Sequence, residues 1–234
     1  MTMRTIALPG PAGAAAEEDW LPRGARALWA RAPWVLAGSL PVFAVVVAAS
    51  RLSGGHLLVM TAIAGLVGAP ALVGLTVVAQ RLVVDGDLRA CDLWTPGWLR
   101  AVAVVWTATA AVALTLVAFE VYGRTGSAAA LVPALAGSVV AAHAVLLAPA
   151  AVALILDRPG APWRNVWVVA FIAAARRPVP VLGGWVAAAL LAWLALRLQV
   201  LLLVVPGVAA VVLVSAAWTA LGGLGVTPAR RTDR

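Results

Sequence analysis

The chain has 234 residues, 64% of them hydrophobic and only 11% charged, with a mean hydropathy of +1.02 and a net charge of +8. A soluble domain is about half apolar and about one quarter charged, so this composition excludes a soluble fold and points to a polytopic membrane protein. All of the basic residues are arginine, and the positive balance reads as membrane topology rather than nucleic-acid binding. No nucleic-acid partner is expected.

Residues 1–19 are rich in Ala, Gly and Pro and end in Glu17-Glu18-Asp19, the composition of a disordered tail. The first 30 residues contain no continuous apolar core of the kind a cleaved signal peptide carries, so the first apolar run is expected to be an uncleaved span. The stretch from Trp20 to Arg31 alternates Arg23, Arg26 and Arg31 with Trp20, Leu21, Leu28 and Trp29. It predicts a short helix lying at the membrane interface, where Trp sits at headgroup level and Arg reaches phosphates.

A membrane domain is expected over residues 20–226, with a basic tail over 227–234. Six apolar runs predict spans at about 33–50, 57–80, 99–122, 128–156, 181–196 and 200–221. The first two are joined by a tight turn at Arg51–His56. The second and third are joined by Arg81–Arg100, which holds Asp85, Asp87, Asp92, the lone Cys91, Trp94 and Trp98. A second turn, Gly123–Ser127, precedes a long fourth run that contains Pro133, His143 and Pro149. Tilt, a kink or an end outside the membrane would accommodate that length.

Asp157–Pro180 is a second polar-edged connector. Its apolar core, Trp163–Ala175, is too short to cross and predicts an interfacial or re-entrant helix ended by Arg176, Arg177, Pro178 and Pro180. The fifth and sixth spans follow around a turn at Arg197 and Gln199, with Pro206-Gly207 placed inside the sixth. The architecture expected is therefore an all-α polytopic helix bundle of about six transmembrane helices with one or two short interfacial helices.

Six spans put both termini on one side. Fourteen arginines then fall in the tails and the two long connectors, and Arg51, Arg124 and Arg197 on the other side. Positive charge stays cytoplasmic, so the expected arrangement is amino and carboxyl termini both inside, in a multi-pass protein of the bacterial cytoplasmic membrane.

Few residues carry candidate chemistry. A single cysteine forms no internal disulfide and no cysteine-based zinc site. Asp85, Asp87 and Asp92 lack the alternate-position pattern of a calcium loop, and Asp85-Gly86 reads as a turn. There is no phosphate-cradling Gly-x-x-x-x-Gly-Lys, no His-Glu-x-x-His and no Gly-x-Ser-x-Gly. No enzymatic activity, metal or cofactor is expected.

His143 and Glu120 are the candidate intramembrane polar residues. An ionisable group within a span is by default a proton relay or substrate contact, but His143 can also bond a neighbouring helix. Glu120 with Arg124 suits an i,i+4 pair. The connectors each carry two tryptophans four apart, Trp94 and Trp98, then Trp163 and Trp167. These are the candidate partner surface, and a weak internal echo: Ala69-Pro70-Ala71 and Ala148-Pro149-Ala150 precede the two connectors in turn.

Ser39-Leu40-Pro41, Gly68-Ala69-Pro70-Ala71, the Arg81–Arg100 connector and the run from Asn165 through Arg176-Arg177-Pro178 resemble the YesL-like family of small bacterial integral membrane proteins, a domain family of unknown function. The resemblance implies association with carbohydrate uptake and brings no catalytic or binding residues. The function expected is a non-enzymatic membrane component, accessory to a sugar-uptake system, with transporter subunits as partners beside the lipid bilayer. The alternative is a permease in its own right, with kinked helices around His143.

Overall fold

The computed structural model describes residues 20–87 and 95–229. The amino tail expected to be disordered, Cys91 and Asp92, the candidate partner contact Trp94 and the last five residues of the basic tail lie outside the described residues.

The described chain is all helical. In order the helices are α1 (Trp20–Ala30), α2 (Ala32–Leu52), α3 (Leu57–Val84), α4 (Trp98–Thr125), α5 (Ala128–Asp157), α6 (Trp163–Arg176), α7 (Pro178–Arg197) and α8 (Val205–Gly222), with a 3₁₀ turn at Gln199–Leu203 before the last. Six of them, α2, α3, α4, α5, α7 and α8, are long and apolar enough to cross a membrane. This is a multi-pass membrane bundle.

Its plan is three antiparallel hairpins, α2–α3, α4–α5 and α7–α8, each pair in extensive contact. The second member of every hairpin faces inward. About half of the most apolar stretch of α3, α5 and α8 is buried (44%, 50% and 56%), against 22%, 22% and 17% for α2, α4 and α7. Three parallel helices thus make the core and three antiparallel ones sheathe it toward lipid.

The hairpin turns explain the pairing. Gly54 and Gly55 take positive φ (56° and 89°), a conformation that a Cβ disfavours, and so turn α2 back into α3. Between α4 and α5 the chain reverses over Gly126, left-handed at φ 61°, and Ser127, whose hydroxyl accepts the N–H of Ala129 at 3.3 Å as an N-cap. α4 runs through to Thr125, so this turn is shorter than the Gly123–Ser127 expected from the glycines.

Packing is densest at the end that carries the arginines. Leu147 and Ala150–Asp157 of α5, Leu82–Val84 of α3 and Val214–Trp218 of α8 are all buried there. α5 has 30 residues, about 45 Å at 1.5 Å each, against a hydrocarbon core of about 30 Å. It absorbs the excess without breaking, because its last turns are wrapped by protein.

Three expectations need correction. Pro178 does not merely end the segment before it: Arg177 is the shared cap, and α7 begins at Pro178 rather than 181. Pro206 likewise sits in the first turn of α8, which begins at Val205 instead of 200. A proline is favoured there because its missing N–H would have no helical acceptor. Trp20 does not face outward from the bundle. It is 4% exposed, with Gly24 and Ala27 on the same buried stripe, and its carbonyl accepts from Ser215 Oγ of α8 at 3.5 Å. α1 is thereby part of the core at the arginine-rich end, while Trp29 projects outward at 82% exposure.

Candidate functional site

Two regions stand out: the arginine-rich end, where polar groups are fixed together, and an apolar cavity between the spans.

At the arginine-rich end the two long connectors meet. Arg100, in the first turn of α4, donates through its guanidinium to the carbonyl of Pro159 and, at 2.6 Å, to that of Ala161. Gly97 permits the approach: a Cβ on it would lie 2.5 Å from the backbone oxygen of Ile155. Arg31, at the α1–α2 junction, pairs with Asp87 at 2.8 Å, and Arg81 with Asp85 at 3.1 Å. Asp85 and Asp87 thus each face an arginine. Asp157, buried at the end of α5, accepts the backbone N–H of Ala229 at 2.9 Å, and Arg158 donates to Thr227 O at 3.4 Å, which straps residues 227–229 across this face.

α6 lies along the same face. Val166, Ala170 and Ala173 are buried, and Trp163, Val168, Phe171 and Ile172 are exposed beside Arg164 and Arg176. Trp163 and Trp167 stack edge to face, ring centroids 6.2 Å apart at 68°. Trp163 is half-exposed, whereas Trp167 and Trp98 pack partly buried against the core. Trp98 opens a spanning helix and Trp163 a short one.

The candidate intramembrane pair is not brought together. His143 is exposed on the outer surface of α5, and its Nδ1 lies 2.7 Å from its own helix's Val139 carbonyl. Glu120 pairs with Arg124 on an exposed face of α4. The prolines at 41, 70, 133 and 149 lie inside continuous helices, with no broken segment around His143.

The cavity, of about 510 Å³, lies between α3, α4, α5, α7 and α8. Its walls are mostly Leu, Val, Ala and Pro, with Met60, Gly65, Trp185 and the threonines 61, 76 and 109, and none of its lining residues is ionisable. Each threonine hydroxyl already donates to its own helix, at 2.8, 2.8 and 2.9 Å. Water needs two to four polar partners in such a space, and this one offers few. The cavity therefore suits an apolar filling.

Two residues were not singled out from the sequence. Gln80, buried in α3, donates to the Ala153 carbonyl of α5 at 3.3 Å and ties two core helices. An amide inside an otherwise apolar run was the available signal. Trp185 of α7 reaches the Leu146 carbonyl of α5 through a long bond of 3.4 Å and forms part of the cavity wall. Nothing in the sequence separates it from the other tryptophans. No family model, curated protein or solved structure matches this chain.

Proposed function

We propose that this chain is a non-enzymatic protein of the bacterial cytoplasmic membrane whose arginine-rich end faces the cytoplasm and docks a partner subunit, as an accessory component of an uptake system. The observation that carries this reading is the Arg100 clasp, which joins the two connectors into one surface. A docking surface that is ordered beforehand avoids the entropic cost of ordering upon binding. The Arg31–Asp87 pair and the Asp157–Ala229 strap act in the same sense.

On that surface α6 presents Trp163, Phe171 and Ile172 beside Arg164 and Arg176, the aromatic and arginine composition typical of interface anchors. The charge asymmetry supports the orientation. The link to sugar uptake rests on the resemblance to the YesL-like family at Ser39–Pro41, Gly68–Ala71 and Asn165–Pro178.

Carriage of a sugar by this chain alone is the weaker reading. Sugar hydroxyls need polar partners when buried, and the cavity is apolar while His143 faces outward. The test has two arms. The purified chain in liposomes should give no sugar flux above protein-free vesicles. A photo-crosslinking residue at Phe171 should give one discrete protein adduct in cells, and the same residue at Val140 none. Sugar flux, or equal adducts at both positions, would overturn the proposal.

A further inference from the structure

The apolar cavity is continuous with the membrane-facing side of the bundle. A second cleft, about 340 Å³, lies between α4, α5 and α7 and shares Val112, Val145 and Trp185 with the cavity walls. Ala142 on its rim is exposed, and α5 and α7 touch only slightly. The mouth is therefore a gap between these two spans, bounded at one edge by the Trp185 indole where it bonds the Leu146 carbonyl of α5. Val112 lies midway along α4 and Ala142–Leu146 midway along α5. A mouth at that depth faces the middle of the bilayer, where hydrocarbon chains end.

We propose that this cavity is a binding site for the acyl chain of a bilayer phospholipid, which enters methyl end first between α5 and α7. The chemistry selects the occupant. The walls exclude a charged or hydroxyl-rich ligand because none of them supplies an ionisable group and their threonine hydroxyls already donate to carbonyls of their own helices. The mouth carries no charged residue that would hold a headgroup, so the headgroup stays at its own interface and only the chain enters. This site is separate from the docking surface at the arginine-rich end, and either can fail without the other.

The experiment uses the full chain in phosphatidylethanolamine–phosphatidylglycerol vesicles doped with phosphatidylglycerol carrying a terminal acyl diazirine. Photolysis should place adducts on the lining residues Ala108, Val112, Val145, Val152, Ala209 and Leu213. Ala148→Phe and Ala210→Phe, which fill the cavity from α5 and α8, should each lower those adducts at least about fivefold. Val140→Phe, on the outward face of α5, should leave them unchanged. If one filling variant fails to insert, the other still decides. Adducts confined to outward positions such as Val139 would overturn the proposal. So would undiminished cavity adducts in an inserted filling variant, or labelling by a polyprenyl diazirine but not by the phospholipid.

Discussion

Arg100→Ala should be the most damaging single change at the arginine-rich end. The substitution removes two charge-assisted hydrogen bonds, to Pro159 O and Ala161 O, from a half-buried guanidinium. Bonds to charged groups contribute about 1.5–3 kcal/mol each. Taking the lower figure for partial exposure gives a loss of about 3 kcal/mol. At about 2–4 °C per kcal/mol for a chain of this size, Tm should fall by about 6–12 °C. Arg100→Lys keeps the charge but not the fork, reaches one carbonyl, and should lose about half as much. Thermal unfolding in detergent, followed by tryptophan fluorescence, reads both. Arg164→Ala, an exposed arginine of the same face, is the control and should change stability by less than about 0.5 kcal/mol. If Arg100→Ala were no worse than Arg164→Ala, the two connectors would not be held together as described.

Other expectations follow from particular contacts. Gly97→Ala should destabilise by about 1–3 kcal/mol in the same melt, because the new Cβ meets the Ile155 backbone oxygen, which cannot rotate away. His143→Ala should shift Tm by less than about 2 °C, since the ring is outside the bundle and bonds only its own helix; a large loss would place it in a contact absent here. Gly207→Leu should prevent assembly of α8 on α2, because even a Cβ would overlap Val35 and lie 2.7 Å from Ser39 Oγ. Protease resistance of the detergent-solubilised variant would report this, and a wild-type digestion pattern would contradict it.

The six spans were legible because each is a long run with few charges, and a bilayer requires such runs to be helices. The turn glycines and the short α6 were legible for the same reason, as interruptions of known length. The division into core and sheath helices was not. α3 and α5 are apolar on every face, since one side meets protein and the other lipid, and neither side selects polar residues. α1 is the opposite case: its Trp20, Gly24 and Ala27 stripe was readable as amphipathic, but sequence could not say whether that stripe met headgroups or α8. Pro178 and Pro206 were misplaced because a helix-breaking signal and a helix-starting one are the same residue.

The two connectors were recognisable as polar-edged segments from their arginines and tryptophans. Arg100 as the clasp was not, because its partners are backbone carbonyls that leave no mark in the sequence. The central cavity was equally hidden: its walls are the residues most common in any span.

Cytoplasmic placement of the arginine-rich end underlies the proposed docking role, and cysteine accessibility tests it most directly. In a Cys91→Ser background, Ser127→Cys probes the turn between α4 and α5, and Gly160→Cys probes the connector held by Arg100. Both sites are exposed. A membrane-impermeant maleimide added to intact spheroplasts should label the cysteine at 127 at once and the one at 160 only after permeabilisation. Labelling of 160 and protection of 127 would contradict the account.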